Sequence, residues 1–468
     1  MSVSTEPVQA EKSLSREDKK TLSLAALGGT LEFYDFVIYA LYIETVVKPL
    51  FLPADLAAGI WGDIFAWGGF AAGYLARPIG GMVMAHFGDT LGRKKMFTLS
   101  IFMMAIPTLL IGLMPTYATI GIAAPILLIV FRVLQGAAIG GEMPGAWVFI
   151  AEHSPKKHYG LGIGVLTGGI AGGILLGFSI SLSIDVIYSD NRAAITDYAW
   201  RIPFIIGGIF GLVAVYLRRF LSETPVFQEM AKNKSLSKEI PIVTVVKKHQ
   251  FACVLTGLLT WSLSTTIMLG ILFTPVKVLQ GIYGIDPMIT RISGLIAAIC
   301  LVIGCITCGI FEDKIKTRKV SVLFWGGLIV TSAIFYSTLS SILEPYQANQ
   351  LTQGTLFTVM ALYGLMGFFA GCTSLPPILA TRMFPPNIRF SGLSFSYNLS
   401  YAIFSAITPA VAIALLKITP MGVAYYLWFV AILAIAVAFF PLAHKGWTAE
   451  DEPLINDSKV PLSNSSLT

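Results

Sequence analysis

The chain has 468 residues, 55% of them hydrophobic and only 12% charged, with a formal net charge of +6. That balance excludes an ordinary soluble enzyme or binding domain. In a chain this apolar, the positive excess signals topology in a membrane and not contact with nucleic acid.

Residues 1–21 include Glu6, Glu11, Lys12, Arg16, Lys19 and Lys20 without an apolar core, so a cytoplasmic tail is expected there and not a cleavable signal peptide. Span one is expected over 22–48. Within it Glu32 and Asp35 stand three apart and share a helix face, which Tyr39 continues. Two carboxyls in a low-dielectric span cannot both ionise cheaply, and a carboxyl poised to exchange protons is what a proton-coupled carrier needs. The plainer alternative is that Glu32 pins span one to its neighbours by hydrogen bonds. Span two is expected over 60–86, with Arg77 followed by Pro78 inside it.

Met96 to Phe131 is a run of 36 residues without a charge. A hydrocarbon core of about 30 Å needs roughly 20 apolar residues per helical crossing, so this run holds more than one span. It breaks between Gly112 and Tyr117, which gives span three over 96–113 and span four over 119–151. Arg132 lies near the middle of span four, followed by Gln135 and Glu142 among Gly136, Gly140, Gly141 and Gly145. An uncompensated arginine there is costly, so it requires a partner. In one reading Arg132 pairs with Asp35 or Glu32 when empty and takes a substrate carboxylate when loaded, using its planar fork. In the other it forms a permanent ion pair with Glu142 or Asp35. The glycines read as small-residue packing between helices.

Spans five and six are expected over 160–187 and 200–219, and a basic linker follows over 221–249. Six more spans are expected over 250–280, 288–311, 320–342, 352–382, 390–416 and 420–443, with a cytoplasmic tail over 444–468. The interior polar groups of this second half are neutral. Trp261, Tyr363, Tyr397 and Asn398 join Tyr39, Gln135 and Arg132 as candidate substrate contacts, with helix–helix hydrogen bonding as the alternative for each. Pro376 and Pro377 are expected to bend span ten. Cys305 and Cys308 have the spacing of half a zinc site but no companion ligands, so neither a metal nor a disulfide is expected.

Of the 32 Lys and Arg, 24 fall on the side of the two tails, six on the opposite side, and Arg77 and Arg132 within spans. This asymmetry supports an even number of spans with both termini in the cytoplasm. The halves also repeat. Gly88-Asp89 followed by Arg93 recurs as Glu312-Asp313 followed by Arg318, Pro155 and Gly162 recur as Pro385 and Gly392, and Trp200 recurs as Trp428. The fold expected is an all-α membrane protein of twelve transmembrane helices, in two pseudo-symmetric bundles over 22–220 and 250–443. Such bundles suit alternating access by rocking around a midplane site.

Arg77-Pro78-Ile-Gly-Gly, Gly88-Asp89 and Gly92-Arg93-Lys94 resemble the loop signature of the major facilitator superfamily. Leu31-Glu32-Phe-Tyr34-Asp35-Phe36, Arg132-Val-Leu-Gln135-Gly136, Ala151-Glu152-His-Ser-Pro155, Trp200-Arg201-Ile-Pro203-Phe204 and Ser222-Glu223-Thr224-Pro225 resemble one branch of it, the bacterial metabolite:proton symporters. Phe384-Pro385, Ile388-Arg389, Gly392 and Tyr397-Asn398 extend that resemblance into the second half. Members of the branch carry 2-oxoglutarate, shikimate, citrate, or proline and betaine together with protons. The resemblance implies a cytoplasmic gate of Gly88, Asp89, Arg93 and Glu152, which Arg77 joins unless it lines the vestibule. The chain departs from the signature at Thr90, where a basic residue is usual, and at Glu312 and Thr317, which replace a glycine and an arginine in the second copy. Those changes count against a gate at the second loop and not against the fold.

The function expected is proton-coupled uptake of a small organic solute across the bacterial inner membrane. It would proceed without a cofactor, driven by the proton gradient and carried out by a monomer in the lipid bilayer. Asp35, Glu32 and Glu142 are the candidate proton carriers. Only Arg132 and Arg77 supply positive charge inside the spans, which favours a monocarboxylate or zwitterion such as an amino acid or betaine over a di- or tricarboxylate. A proton-driven exporter of toxic compounds or siderophores is the first alternative. It is disfavoured because span five, glycine-rich from Gly164 to Gly177, lacks the Gly-Pro pair usual in such exporters. A non-transporting nutrient receptor is the second.

Overall fold

The computed structural model describes residues 16–57, 60–91, 93–154, 156–218, 241–342 and 352–444. The described residues are helical with short connections, and no strand occurs among them. We number the long helices α1 (Arg16–Leu41), α2 (Ile60–Leu91), α3 (Arg93–Leu113), α4 (Ala123–His153), α5 (Tyr159–Ile187) and α6 (Arg201–Arg218). In the second half α7 runs over Gln250–Thr265 and continues in wider π-helical turns over Thr266–Ile282. It is followed by α8 (Pro287–Lys314), α9 (Thr317–Ile342), α10 (Gln353–Phe369), α11 (Pro386–Ile418) and α12 (Gly422–Ala438).

Among the described residues, eight helices are long and apolar enough to cross a membrane, from Ala123–Glu152 to Ile388–Ile418. Two shorter apolar helices, Thr98–Leu113 and Gly422–Ala438, fall where spans three and twelve are expected. The first helix starts at Arg16, inside the segment expected to be tail, and part of the expected linker is the helix Pro241–Lys248. Val245 of that helix is buried while Val243 and Val246 are exposed, and the helix packs along α11.

The exposed and packed faces of α2 differ by residue size. On α2, Leu75, Ile79, Met82 and Val83 are exposed along one stripe. The opposite face carries Gly73 and Gly80, where an added Cβ meets Phe36 and the backbone of Ala137. Gly136 and Gly140 on α4 complete the seam, because a Cβ there meets the carbonyl oxygens of Gly73 and Arg77. With no hydrophobic drive between helices in lipid, such backbone approach supplies the packing.

The pairing of helices is the same in both halves. In the first, α1 packs on α5, α2 on α4, and α3 on both α4 and α6; in the second, α7 packs on α11, α8 on α10, and α9 on both α10 and α12. The halves meet through α5 against α8 and α2 against α11, which are equivalent pairs under the same correspondence.

Two breaks have local causes. Gly121, with φ of 58°, turns the chain between α3 and α4 in a conformation that disfavours side chains. Span ten breaks ahead of its prolines: α10 ends at Phe369, a 3₁₀ turn covers Ala370–Ser374, and Leu375–Met383 resumes the helix. Pro376 and Pro377 thus lie in the first turn of the new helix, where a missing N–H breaks no bond.

Candidate functional site

Three helices of the first half place polar groups at one buried point. Asp35 projects from α1, Thr108 from α3, and Arg132 with Gln135 from α4, and none is more than 4% exposed. Arg132 and Gln135 are one turn apart, and the Arg132 Nη1 donates to Gln135 Oε1 at 2.9 Å. Gln135 Nε2 donates to Thr108 Oγ1 at 2.7 Å, and Thr108 Oγ1 lies 2.5 Å from Asp35 Oδ2. The expected direct pairing of Arg132 with Asp35 is therefore replaced by a chain through two neutral side chains. Asp35 Oδ1 and the Arg132 Nε and Nη2 have no hydrogen-bond partner among the described residues.

α6 approaches this point through Gly207, where a Cβ stands 2.9 Å from Asp35 Oδ1. A larger residue at Gly207 would collide with the carboxyl. Nothing in the sequence distinguished this glycine from others that serve only packing.

Aromatic rings hold the two guanidiniums. The Arg132 guanidinium lies 4.4 Å from the Phe36 ring centroid and 4.3 Å from that of Tyr39. Arg77 lies over Tyr401 at 4.7 Å, Tyr74 at 4.8 Å and Phe36 at 5.2 Å. Cation–π contact of this kind stabilises a charge that has left water. The rings continue from Phe36 to Tyr74 at 4.8 Å, Tyr401 at 5.4 Å, Tyr397 at 5.2 Å and Trp147 at 4.9 Å. The series crosses from α1 and α2 into α11 and back to α4, so both halves contribute. Arg77 is 1% exposed and belongs to this aromatic group.

The remaining candidates of the second half are engaged in packing. Trp261 Nε1 donates to the Tyr426 hydroxyl at 2.9 Å, and its ring stacks on Phe404 at 4.3 Å. The Tyr363 hydroxyl donates to the carbonyls of Gly270 and Ile271 at 2.9 and 3.1 Å, within the π-helical part of α7. Asn398 Nδ2 donates to the Gly140 carbonyl at 2.5 Å and ties α11 to α4. Between the halves, a cavity of about 20 Å³ is lined by Trp147, Thr167, Leu263 and Thr373 among others. Among the described residues the Trp147 Nε1 and Thr167 Oγ1 find no partner. No group of three or more metal-ligating side chains occurs among the described residues.

Glu32, Gly88, Asp89, Arg93 and Glu142 fall in helices whose backbone is described but lie outside the residues whose side chains are. The other expected gate residue, Glu152, pairs with Arg389 of α11 at 3.7 Å. The second copy of the loop carries more than its altered sequence suggests. Asp313 accepts hydrogen bonds from the Gly160 and Leu161 amides at 2.6 and 2.8 Å, capping the start of α5 from the other half. Glu312 pairs with Arg382 at 3.0 Å and accepts from Thr317 Oγ1 at 2.5 Å. The two departures in the second copy, Glu312 and Thr317, are thus partners in one network. Offset from Gly88-Asp89 was the signal pointing to Asp313, and Arg389 stood within the Ile388-Arg389 part of the resemblance; Arg382 had no signal. At the far end of the same helix pair, Arg291 of α8 pairs with Asp185 of α5.

Removing the Asp313 carboxylate should free the start of α5. Asp313→Ala is expected to raise hydrogen–deuterium exchange at Gly160 and Leu161 by roughly tenfold or more, the scale of a hydrogen bond to a charged group. Unchanged protection of that peptide would show that α8 does not hold α5 there.

Comparison with known proteins agrees with this architecture. The family model described as Major Facilitator Superfamily matches residues 36–349. A putative proline/betaine transporter of Staphylococcus aureus (strain COL) is 32% identical over 441 residues, covering 91% of this chain and 88% of that protein. The shikimate transporter of Escherichia coli (strain K12) is 30% identical over 425 residues, covering 88% of this chain and 91% of that one. The structure of the proton:xylose symporter XylE bound to 6-bromo-6-deoxy-D-glucose aligns with a TM-score of 0.72 at 14% identity. That alignment covers 95% of this chain and 100% of the other, a likeness of fold.

Proposed function

The chain belongs to the Major Facilitator Superfamily, and from that premise we propose that it takes up a small organic solute together with protons by alternating access. It is a multi-pass membrane transport protein and not an enzyme. The proposed organisation is twelve spans with both termini in the cytoplasm. Two six-helix bundles over 22–220 and 250–443 are joined by the linker 221–249, with tails over 1–21 and 444–468. The identical pairing of helices in the two halves supports that division. A monomer in the bacterial cytoplasmic membrane, driven by the proton gradient without a cofactor, completes the reading.

The observation that carries it is the buried chain from Asp35 through Thr108 and Gln135 to Arg132. A carboxyl in a dry site is a proton carrier, and a guanidinium with unfilled donors is a receptor for a carboxylate. Arg132 presents Nε and Nη2, and aromatic rings flank it. Such a site suits a monocarboxylate, or a zwitterion whose cationic end meets an aromatic face. The proline/betaine and shikimate transporters among its relatives fall within that range.

Uptake of labelled proline, betaine and shikimate into vesicles is expected to collapse when the proton gradient is dissipated. Addition of the transported solute should alkalinise the outer medium. Uptake sustained by ATP in gradient-free vesicles would refute the symport reading.

A further inference from the structure

No sequence signal marks Thr108, yet its hydroxyl joins the carboxyl to the cation. Resting on the symport reading, we propose that Thr108 is the positioning residue that converts the proton state of Asp35 into the availability of Arg132 for an anionic group on the solute.

Each hydrogen in this chain has few places to go. Arg132 is a donor only, so the amide oxygen of Gln135 must face it at 2.9 Å. The Gln135 Nε2 is then obliged to donate to Thr108 Oγ1, at 2.7 Å. That occupies one lone pair of the hydroxyl. Its single proton has two acceptors in reach, Asp35 Oδ2 at 2.5 Å and the Met104 carbonyl at 2.9 Å, and it can serve only one at a time.

With Asp35 ionised, the carboxylate accepts only, and the hydroxyl turns to it. Every link then points the same way, from Arg132 through Gln135 and Thr108 to Asp35, and a chain so polarised strengthens each of its members. Gln135 and Arg132 are held by it. With Asp35 protonated, the acid proton settles on Oδ2, because on Oδ1 it finds no acceptor among the described residues. Oδ2 now donates to Thr108, and the hydroxyl swings to the Met104 carbonyl. The last link has reversed, the polarised chain is broken, and the hold on Arg132 relaxes. The proton stays on Asp35 throughout, and Thr108 only rotates.

Among the residues whose side chains are described, few titratable or charged groups face this point; Glu32 and Glu142 lie outside them. α4 presents Arg132, α2 presents Arg77 behind Phe36, and α1 itself presents Tyr34 and Tyr39. α5 and α6 meet this part of α1 through Gly173, Gly177 and Gly207, which bring no charge. A hydroxyl at position 108 is the switch that these neighbours permit.

Thr108→Val keeps the shape and removes the hydroxyl, Thr108→Ser restores it, and Thr108→Ala is the second deletion should valine misfold. Binding of labelled betaine to purified protein should be measured from acidic to alkaline pH. In the wild type, affinity is expected to rise by about threefold as Asp35 takes its proton, the scale of the cooperative strengthening lost when a polarised chain is broken while its bonds to Arg132 and Gln135 remain. In Thr108→Val and Thr108→Ala that pH dependence should flatten, and Thr108→Ser should recover it. A second arm needs no solute: the infrared carboxyl band that Asp35→Asn abolishes should shift in the valine variant and return in the serine variant. Valine that keeps both the wild-type pH dependence and the band position overturns the switch. Wild type whose affinity ignores pH overturns the symport reading instead. If the wild type binds no betaine, the infrared arm decides alone, an unshifted band counting against Thr108.

Discussion

Asp35→Asn is expected to abolish accumulation of solute against its gradient while exchange of solute across the membrane survives. Asp35 is 4% exposed, and its Oδ2 lies 2.5 Å from Thr108 Oγ1. The amide has the same shape and still offers an oxygen to the Thr108 hydroxyl, so folding should be kept. It cannot take up or release a proton at physiological pH, so the cycle loses its link to the gradient. Net uptake should fall to equal concentrations on both sides, whereas counterflow of labelled against unlabelled solute needs no net proton movement. The measurement is accumulation and counterflow on the same reconstituted variant. Accumulation at the wild-type level would move the coupling to Glu32 or Glu142, the other carboxyls proposed for it.

Arg132→Lys is expected to weaken solute binding by roughly 10–100-fold although the charge is conserved. The guanidinium does three things at once: it donates Nη1 to Gln135, lies over the rings of Phe36 and Tyr39, and leaves Nε and Nη2 free of partners among the described residues. A compact ammonium can keep the bond to Gln135 but cannot present a planar fork to a carboxylate. Equilibrium binding on purified protein reads this directly, and thermal unfolding separates it from a loss of fold. Normal affinity with lowered stability would make Arg132 a structural residue.

Much of the candidate site was legible in the chain because burying a charge in lipid is costly. Asp35 and Arg132 interrupt apolar runs, and an ionisable residue in such a run requires a reason. Their partners were not legible. Gln135 stood out as a candidate substrate contact and not as a link to Thr108, and Thr108 is a threonine among many, in a helix where back-bonding to the carbonyl four residues earlier is its ordinary behaviour. The expected ion pair between Arg132 and Asp35 was reasonable on charge alone. It does not form because α3 inserts Thr108 between the helices that carry the two charges.

Hydropathy, charge asymmetry and the repeat are properties of the chain in one dimension, and the sequence by itself determined what depends on them. Those are the apolar helices, the break between α3 and α4, the correspondence of Gly88-Asp89 with Glu312-Asp313, and the presence of a carboxyl and a guanidinium within spans. Only the tertiary structure decided which faces meet. The rotation of each helix is set where backbones touch, as at Gly136 against Gly73 and Gly207 against Asp35, and a glycine does not announce its partner. Those contacts place Arg77 among rings from both halves and Arg132 over two rings of α1, bring Asp313 onto the start of α5, and route the contact between Asp35 and Arg132 through a hydroxyl. Burial can be read from a single helix, but a hydrogen-bond partner depends on the relative rotation of two.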